Sequence, residues 1–286
     1  MAEAWTIEHA TTLDLGDSSA PITEVEVLLV AGRVAVVAAA SDDGSAQVEV
    51  SEISGGPLTA TLDAGKLRIS HPKAAKEGWL EKLRKPWTDL SAVVSITAPR
   101  AAKVTLSTVS AETLVAGMAA PVKLKTVSAE LAVDQVTGNV EAKSVSGALE
   151  VRELRGDLVA NTVSGDVTVH ARALPHLTAK TVSGDVTVDL ADADAGSATT
   201  SEQDAKTVSG SVTVRIPAGT GYLVTSKSVS GDLVAGTERV GKQPGQSKGT
   251  LRHGNEAVKL TAGTLSGDVT VLHATDQAAP SSEPAA

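Results

Sequence analysis

The sequence predicts an all-β chain wound as a single-stranded, right-handed β-solenoid with coils of about 18 residues, capped by degenerate amino-terminal β coils. Three observations lead there. The octet "TVSGDVTV" stands at residues 162–169 and again at 181–188, and looser copies begin at Thr108, Thr126, Ser144, Thr207, Ser228 and Thr264. The intervals between successive copies are 18, 18, 18, 19, 26, 21 and 36 residues, a near-fixed period too short for helical repeats, which run to about 33 residues or more. Within the octet, Val163, Gly165, Val167 and Val169 alternate with Ser164, Asp166 and Thr168, the period of two expected of a half-buried strand. Third, the 286 residues include no Phe, one Tyr and three Trp. Val, Leu and Ala must therefore fill the interior, which suits narrow β layers.

Each element follows from the same pattern. Residues 1–70 are expected to form the degenerate cap, in which Val30 to Val36 matches Val163 to Val169 at each position expected to face inward. A cap is needed because an open sheet end leaves backbone groups unpaired. Residues 71–90, "HPKAAKEGWLEKLRKPWTDL", break the alternation, and a short helix is expected between Gly78 and Pro86. Residues 91–275 carry the repeats, with a phase slip between Ala160 and Val163 that requires a bend in every coil. The stretch 236–256 reads as a mobile rim loop and 276–286 as a disordered tail.

Stacked coils turn equivalent positions into columns. Gly147, Gly165, Gly184, Gly210, Gly231 and Gly267 form one, continued by Ala111 and Ala129. Because Ala tolerates positive φ poorly, lack of room is the expected constraint. A mostly acidic column holds Glu112, Glu130, Asp166, Asp185, Asp232 and Asp268, and a basic one holds Lys125, Lys143, Lys180, Lys206 and Lys227. These ladders are expected to be a solvated face that discourages aggregation, with binding of cations or an anionic polymer as the alternative.

Composition excludes several functions. A formal net charge of −9 opposes nucleic-acid binding, and zero Cys removes disulfides, thiolate nucleophiles and Cys-ligated zinc. The six His have no paired-ligand spacing and are expected at the surface. "DLADADAG" at 189–196 only partly matches a calcium loop and reads as a simple loop. No catalytic residue, metal site or cofactor is expected, since Asp166 and Asp185 are repeated equivalents and acid–base pairs need contrasting environments. Without a basic n-region, an apolar h-region or a long apolar run, the chain is expected to be cytoplasmic, with membrane association through its basic segment.

The repeated K-[TS]-V-S-[GA]-[DE] units, "VEVLLVAGRVAVV", "VEVSEISGGPL", "LRISHP" and "VVSITAPRAAKVTLSTVSAE" resemble the bacterial "putative adhesin" family of β-strand-repeat proteins across residues 22–272. That resemblance implies the solenoid and an adhesin-like role, and it carries no catalytic motif. The function expected is a non-enzymatic scaffold or binding module engaging a protein or cell-envelope component. Its expected contacts are Trp79, Lys82, Arg84, Lys85 and Trp87, which together suit a partner or membrane surface, or the two charged ladders. The bland alternative makes those Trp residues a plug over one end of the core. The alternative functions are a self-assembling β-helix filament joined end to end and, less favoured, a polysaccharide-active enzyme.

Overall fold

The structure, a computed structural model, describes residues 2–41, 43–71, 90–191, 193, 201–235, 238–240 and 248–274. Among these residues there are 24 strands and no helix, so none is long and apolar enough to cross a membrane. The strands form a large, mostly parallel sheet folded into two facing walls.

Each central rung contributes one short strand to each wall. On the first wall Val122–Lys125, Val140–Lys143, Leu158–Asn161 and His176–Lys180 pair in parallel. On the second, Leu131–Asp134, Leu149–Arg155, Val167–Ala173 and Val186–Asp189 do the same. Val140 thus pairs with Leu158, and Leu158 with Leu177, so the sequence period and the pairing register agree. Alternate residues of both walls point inward and are buried, Leu158, Ala160, Val167 and Val169 in one rung. One continuous core of mostly Val, Leu and Ala runs the length of the stack.

Chain order and stack order part company at both ends. Strand Glu24–Ala38 forms a full rung beside Lys103–Ala116, while Lys66–Ser70 and Ser91–Ala98 together form the next rung outward. The predicted match of Val30–Val36 to the repeats therefore places a true rung inside the stack. At the other end, Val258–Ser266 and Val269–His273 insert between the rung of Ser201–Ile216 and that of Tyr222–Ala235. The octet at Thr264 is accordingly next to the one at Thr207, and the octet at Ser228 lies outside it. The expected rim loop at 236–256 instead contributes strands Glu238–Val240 and Lys248–His253, which pair antiparallel on the outermost rung. Antiparallel strands close the amino-terminal end too, Glu3–Ile7 beyond Leu58–Asp63 and Thr11–Leu15 beyond Ala46–Ser54.

The octet encodes the corner between the walls, which corrects its reading as one straight strand. Thr162 is buried, Val163 is 49% exposed, and the strand begins only at Val167. The serines hold the corner in register, from Ser128 through Ser146, Ser164, Ser183 and Ser209 to Ser266. Glycine follows for two reasons. Lack of room holds, since a Cβ on Gly184 would lie 2.3 Å from the Gly165 carbonyl oxygen. Positive φ, which the sequence argued against, also holds: Gly165, Gly184 and Gly267 all have φ of 148°. Ala111 and Ala129, absent from the positive-φ residues, mark rungs where the corner is built differently.

His71 corrects the expectation of surface histidines. It is 0% exposed, neither ring nitrogen has a hydrogen-bond partner among the described residues, and burial pushes its pKa from 6.5 down to about 4. The imidazole is thus neutral in the fold. Its contribution to stability is intact above pH 6.5 and declines as pH falls toward 4, because the unfolded chain takes up the proton first.

Two outcomes test this architecture. Gly184→Ala is expected to destabilise the protein by roughly 1–3 kcal/mol through backbone strain, read as a lower denaturant midpoint. His71→Leu is expected to match or exceed wild-type stability at pH 7, because two unpaired buried nitrogens disappear. Between pH 7 and pH 5 the wild type should lose about 1 to 2 kcal/mol more than the variant.

Candidate functional site

The corner leaves a groove running along the stack. On the rungs from Lys125 to Val208 the residue before the octet points outward, the octet's Thr or Ser points inward, and the next residue points outward again. Lys125, Thr126 and Val127 show this arrangement, as do Lys143, Ser144 and Val145. The columns thus become a wall rich in Lys, a floor of Thr and Ser residues whose side chains point into the core, and a wall of Val. A pocket of about 600 Å³ in this groove runs from Leu28, Leu29 and Val30 to Asn161, Thr162 and Val163.

The Val wall is the feature that sequence reasoning placed the wrong way round. Val145, Val163, Val182, Val208 and Leu265 are each 42–53% exposed, although alternation through the octet put them inside. The signal that would have found them is the phase slip itself. If the bend occupies Thr162 to Asp166, the inward parity restarts at Val167 and leaves Val163 free to point out.

The floor hydroxyls are structural over half the groove. Thr207 donates to the Gly184 carbonyl at 3.2 Å and Thr264 to that of Gly210 at 3.1 Å, tying each corner to the adjacent rung. Thr108 and Thr126 bond to one another at 3.0 Å. The side-chain hydroxyls of Ser144 and Thr162, on the rungs lining the pocket, are buried with no hydrogen-bond partner among the described residues.

The basic column is mixed. Lys143 pairs with Glu141 at 2.6 Å and Lys206 with Asp204 at 2.7 Å. Lys143 is the main cause holding the Glu141 carboxyl below its ordinary pKa, with Lys123 adding to it from 3.7 Å. Lys125, Lys180 and Lys227 are exposed and have no carboxylate partner among the described residues.

In the acidic column Glu112 pairs with Arg33 at 2.6 Å, while Asp166, Asp185 and Asp268 act as clamps, which neither sequence reading of the column anticipated. Asp166 Oδ1 accepts the Asp185 N–H at 2.9 Å, and Asp185 Oδ1 accepts the Ser211 N–H at 2.7 Å. Asp268 Oδ1 accepts the Asp232 N–H at 2.9 Å. Each carboxylate thereby satisfies a backbone donor of the adjacent rung at the corner, where the turn interrupts the regular strand ladder. Asp166 and Asp185 have the same task in the same surroundings, whereas acid–base pairs need contrasting ones.

Trp79, Lys82, Arg84, Lys85 and Trp87, together with the expected helix at 78–86, lie outside the described residues. Their two attachment points do not. His71 and Leu90 flank the head of the groove, where Leu90 packs with Val30 and Val109 in a small separate cluster. The calcium-like stretch 189–196 is described only in part, and no group of three His, Cys, Asp or Glu capable of holding a metal occurs among the described residues. Sequence reasoning also missed a ring cluster at the carboxy-terminal end, where Tyr222 stacks on His253 at 5.6 Å and meets His273 at 5.5 Å between centroids.

The clamp assignment has a measurable consequence. Asp185→Ala should cost about 1 kcal/mol, as loss of a comparable helix N-cap does, and Asp185→Asn, which keeps an acceptor oxygen, should cost less. Denaturant titrations that rank Asn as the worse change would show the charge, rather than the clamp, to be what matters.

A model of one family, Toastrack DUF4097, matches residues 11–205. No curated protein matches the chain. Among solved structures, a "putative adhesin" from Bacteroides fragilis is similar at a TM-score of 0.52 and 12% identity, over 93% of this chain and 98% of that one, a likeness of fold. A "putative cell adhesion protein" from Clostridium sporogenes has a TM-score of 0.25 and 11% identity, over 93% and 100%. A "putative lipid binding protein" from Parabacteroides distasonis has a TM-score of 0.42 and 14% identity, over 92% and 97%. With more than half its length matched by that family's model, the chain is a member of the Toastrack DUF4097 family, a family of unknown function.

Proposed function

We propose that this protein is a non-enzymatic binding module, a right-handed solenoid of about 18-residue coils that engages a protein or cell-envelope component through its corner groove. The exposed Val column carries the reading. A stack with a complete core has no need of further apolar side chains, yet it repeats one outward on rung after rung. Monomeric soluble proteins rarely expose contiguous apolar surface on this scale without a use for it.

Other features support the same reading. Asp166 and Asp185, the strongest candidates for chemistry, are engaged with backbone donors. The groove is concave and mostly apolar with few polar groups, as binding sites are. End-to-end assembly into filaments finds less support, because both ends of the stack finish in antiparallel strands unlike the parallel rungs between them. His71 and Leu90, the described residues on either side of the basic Trp segment, adjoin the head of the groove.

Capture from lysate of the organism that encodes the chain, divided into soluble and membrane fractions, tests the groove directly. Val145→Asp combined with Val163→Asp changes exposed positions only, so the fold should survive, checked by circular dichroism. At least a tenfold loss of the captured component is expected. Equal capture by both proteins would move the function away from the groove.

A further inference from the structure

We propose that the groove binds a single extended acyl chain with an anionic head, the tail lying toward Leu28, Leu29 and Val30 and the head beside Lys180. This rests on the reading of the groove as the binding surface and adds the class of ligand.

Width comes first. The two walls are formed by residues two apart in the chain, such as Lys143 and Val145, so their backbones are separated by at most about 7 Å. A helix is about 10–12 Å across and does not fit between them. A peptide strand is excluded for a different reason. The Thr126, Ser144 and Thr162 N–H groups already donate to Lys143, Asn161 and Lys180 carbonyls, each at 2.9 Å. A bound strand would find no backbone partner on the floor, and its own polar groups would be left unsatisfied. A hydrocarbon has none to satisfy.

Length comes next. The pocket spans five rungs, from Leu28 through Ser107, Lys125 and Lys143 to Asn161, or about 19 Å at a rung spacing of about 4.8 Å. An extended chain with 1.5 Å bonds advances roughly 1.3 Å per carbon, so about 15 carbons fill it. The groove is also polar in direction. Leu28 and Ser107 stand on its first two rungs in the positions that Lys125 and Lys143 occupy further along, and Lys180 stands on the rung just beyond Asn161.

Charge then selects the head. Lys143 is engaged by Glu141, and Lys125 sits part-way along, where its aliphatic stem can cover the chain. Lys180, at the exit, has no carboxylate partner among the described residues. A carboxylate or phosphate at that point gains a charge-assisted hydrogen bond. A flat bilayer surface, by contrast, reaches the crest of the Val wall and leaves the notch behind it unfilled.

Titration of the full chain with sodium palmitate below its aggregation concentration, by calorimetry or displacement of a fluorescent fatty acid, tests this. Saturable binding near one per chain is expected, weakening roughly fourfold for each methylene removed between palmitate and decanoate. Val145→Asp with Val163→Asp should weaken it at least tenfold, and Lys180→Gln should weaken palmitate severalfold while leaving hexadecanol unchanged. Absence of saturable binding, or binding indifferent to the valine substitutions, would overturn the proposal. So would binding to phosphatidylglycerol vesicles without binding to the monomeric acid. If palmitate fails while capture of another component still depends on Val145 and Val163, the acyl ligand alone is wrong. If capture is also indifferent, the groove itself is not the binding surface.

Discussion

Everything in this fold depends on how closely one rung can lie on the next at the corner. Parallel strands stack about 4.8 Å apart, and the backbone must turn between walls without widening that gap. Gly184 meets the demand with φ of 148° and no Cβ to strike the Gly165 carbonyl 2.3 Å away. The neighbouring residues answer needs created by that turn. Thr207 ties down the Gly184 carbonyl, Asp166 and Asp185 take up backbone donors of the adjacent rung, and the serines keep the bridge in register.

The same constraint produces the groove. A chain that bends sharply between two buried strands must turn some residues away from the core, and the residue after the inward hydroxyl is one of them. Nothing in the bend requires it to be apolar. Asp, Lys or Ser at that position would be compatible with an exposed corner, yet Val recurs there from Val145 to Val208, with Leu265 beyond. The bend explains why the column exists, and binding offers a reason for its chemistry. The groove itself is a by-product of the repeat.

The two ends of the stack are built differently from the rungs between them. Parallel rungs present identical edges at both ends, which would invite a second copy. Here the chain leaves its own order, returns to insert an inner rung, and sets antiparallel strands outermost at each end. Tyr222, His253 and His273 pack their rings against one another beside the carboxy-terminal cap.

By itself the sequence determined the β architecture, the parallel register of the central rungs, the bend after Ala160 and the shortage of room at Gly165. All of these are local or periodic properties, readable from spacing and side-chain size. Only the tertiary structure decided the direction of Val163, since alternation predicts facing along a straight strand and says nothing of where parity restarts after a bend. It alone decided that Asp166 clamps a neighbour, because hydrogen bonds between rungs join residues about 19 positions apart. The order of the last rungs was likewise beyond the sequence: octets as alike as those at Thr207, Ser228 and Thr264 present nearly the same edge, so local pattern cannot say which lies beside which. The groove follows from these decisions together, and it becomes visible only when the corners are stacked.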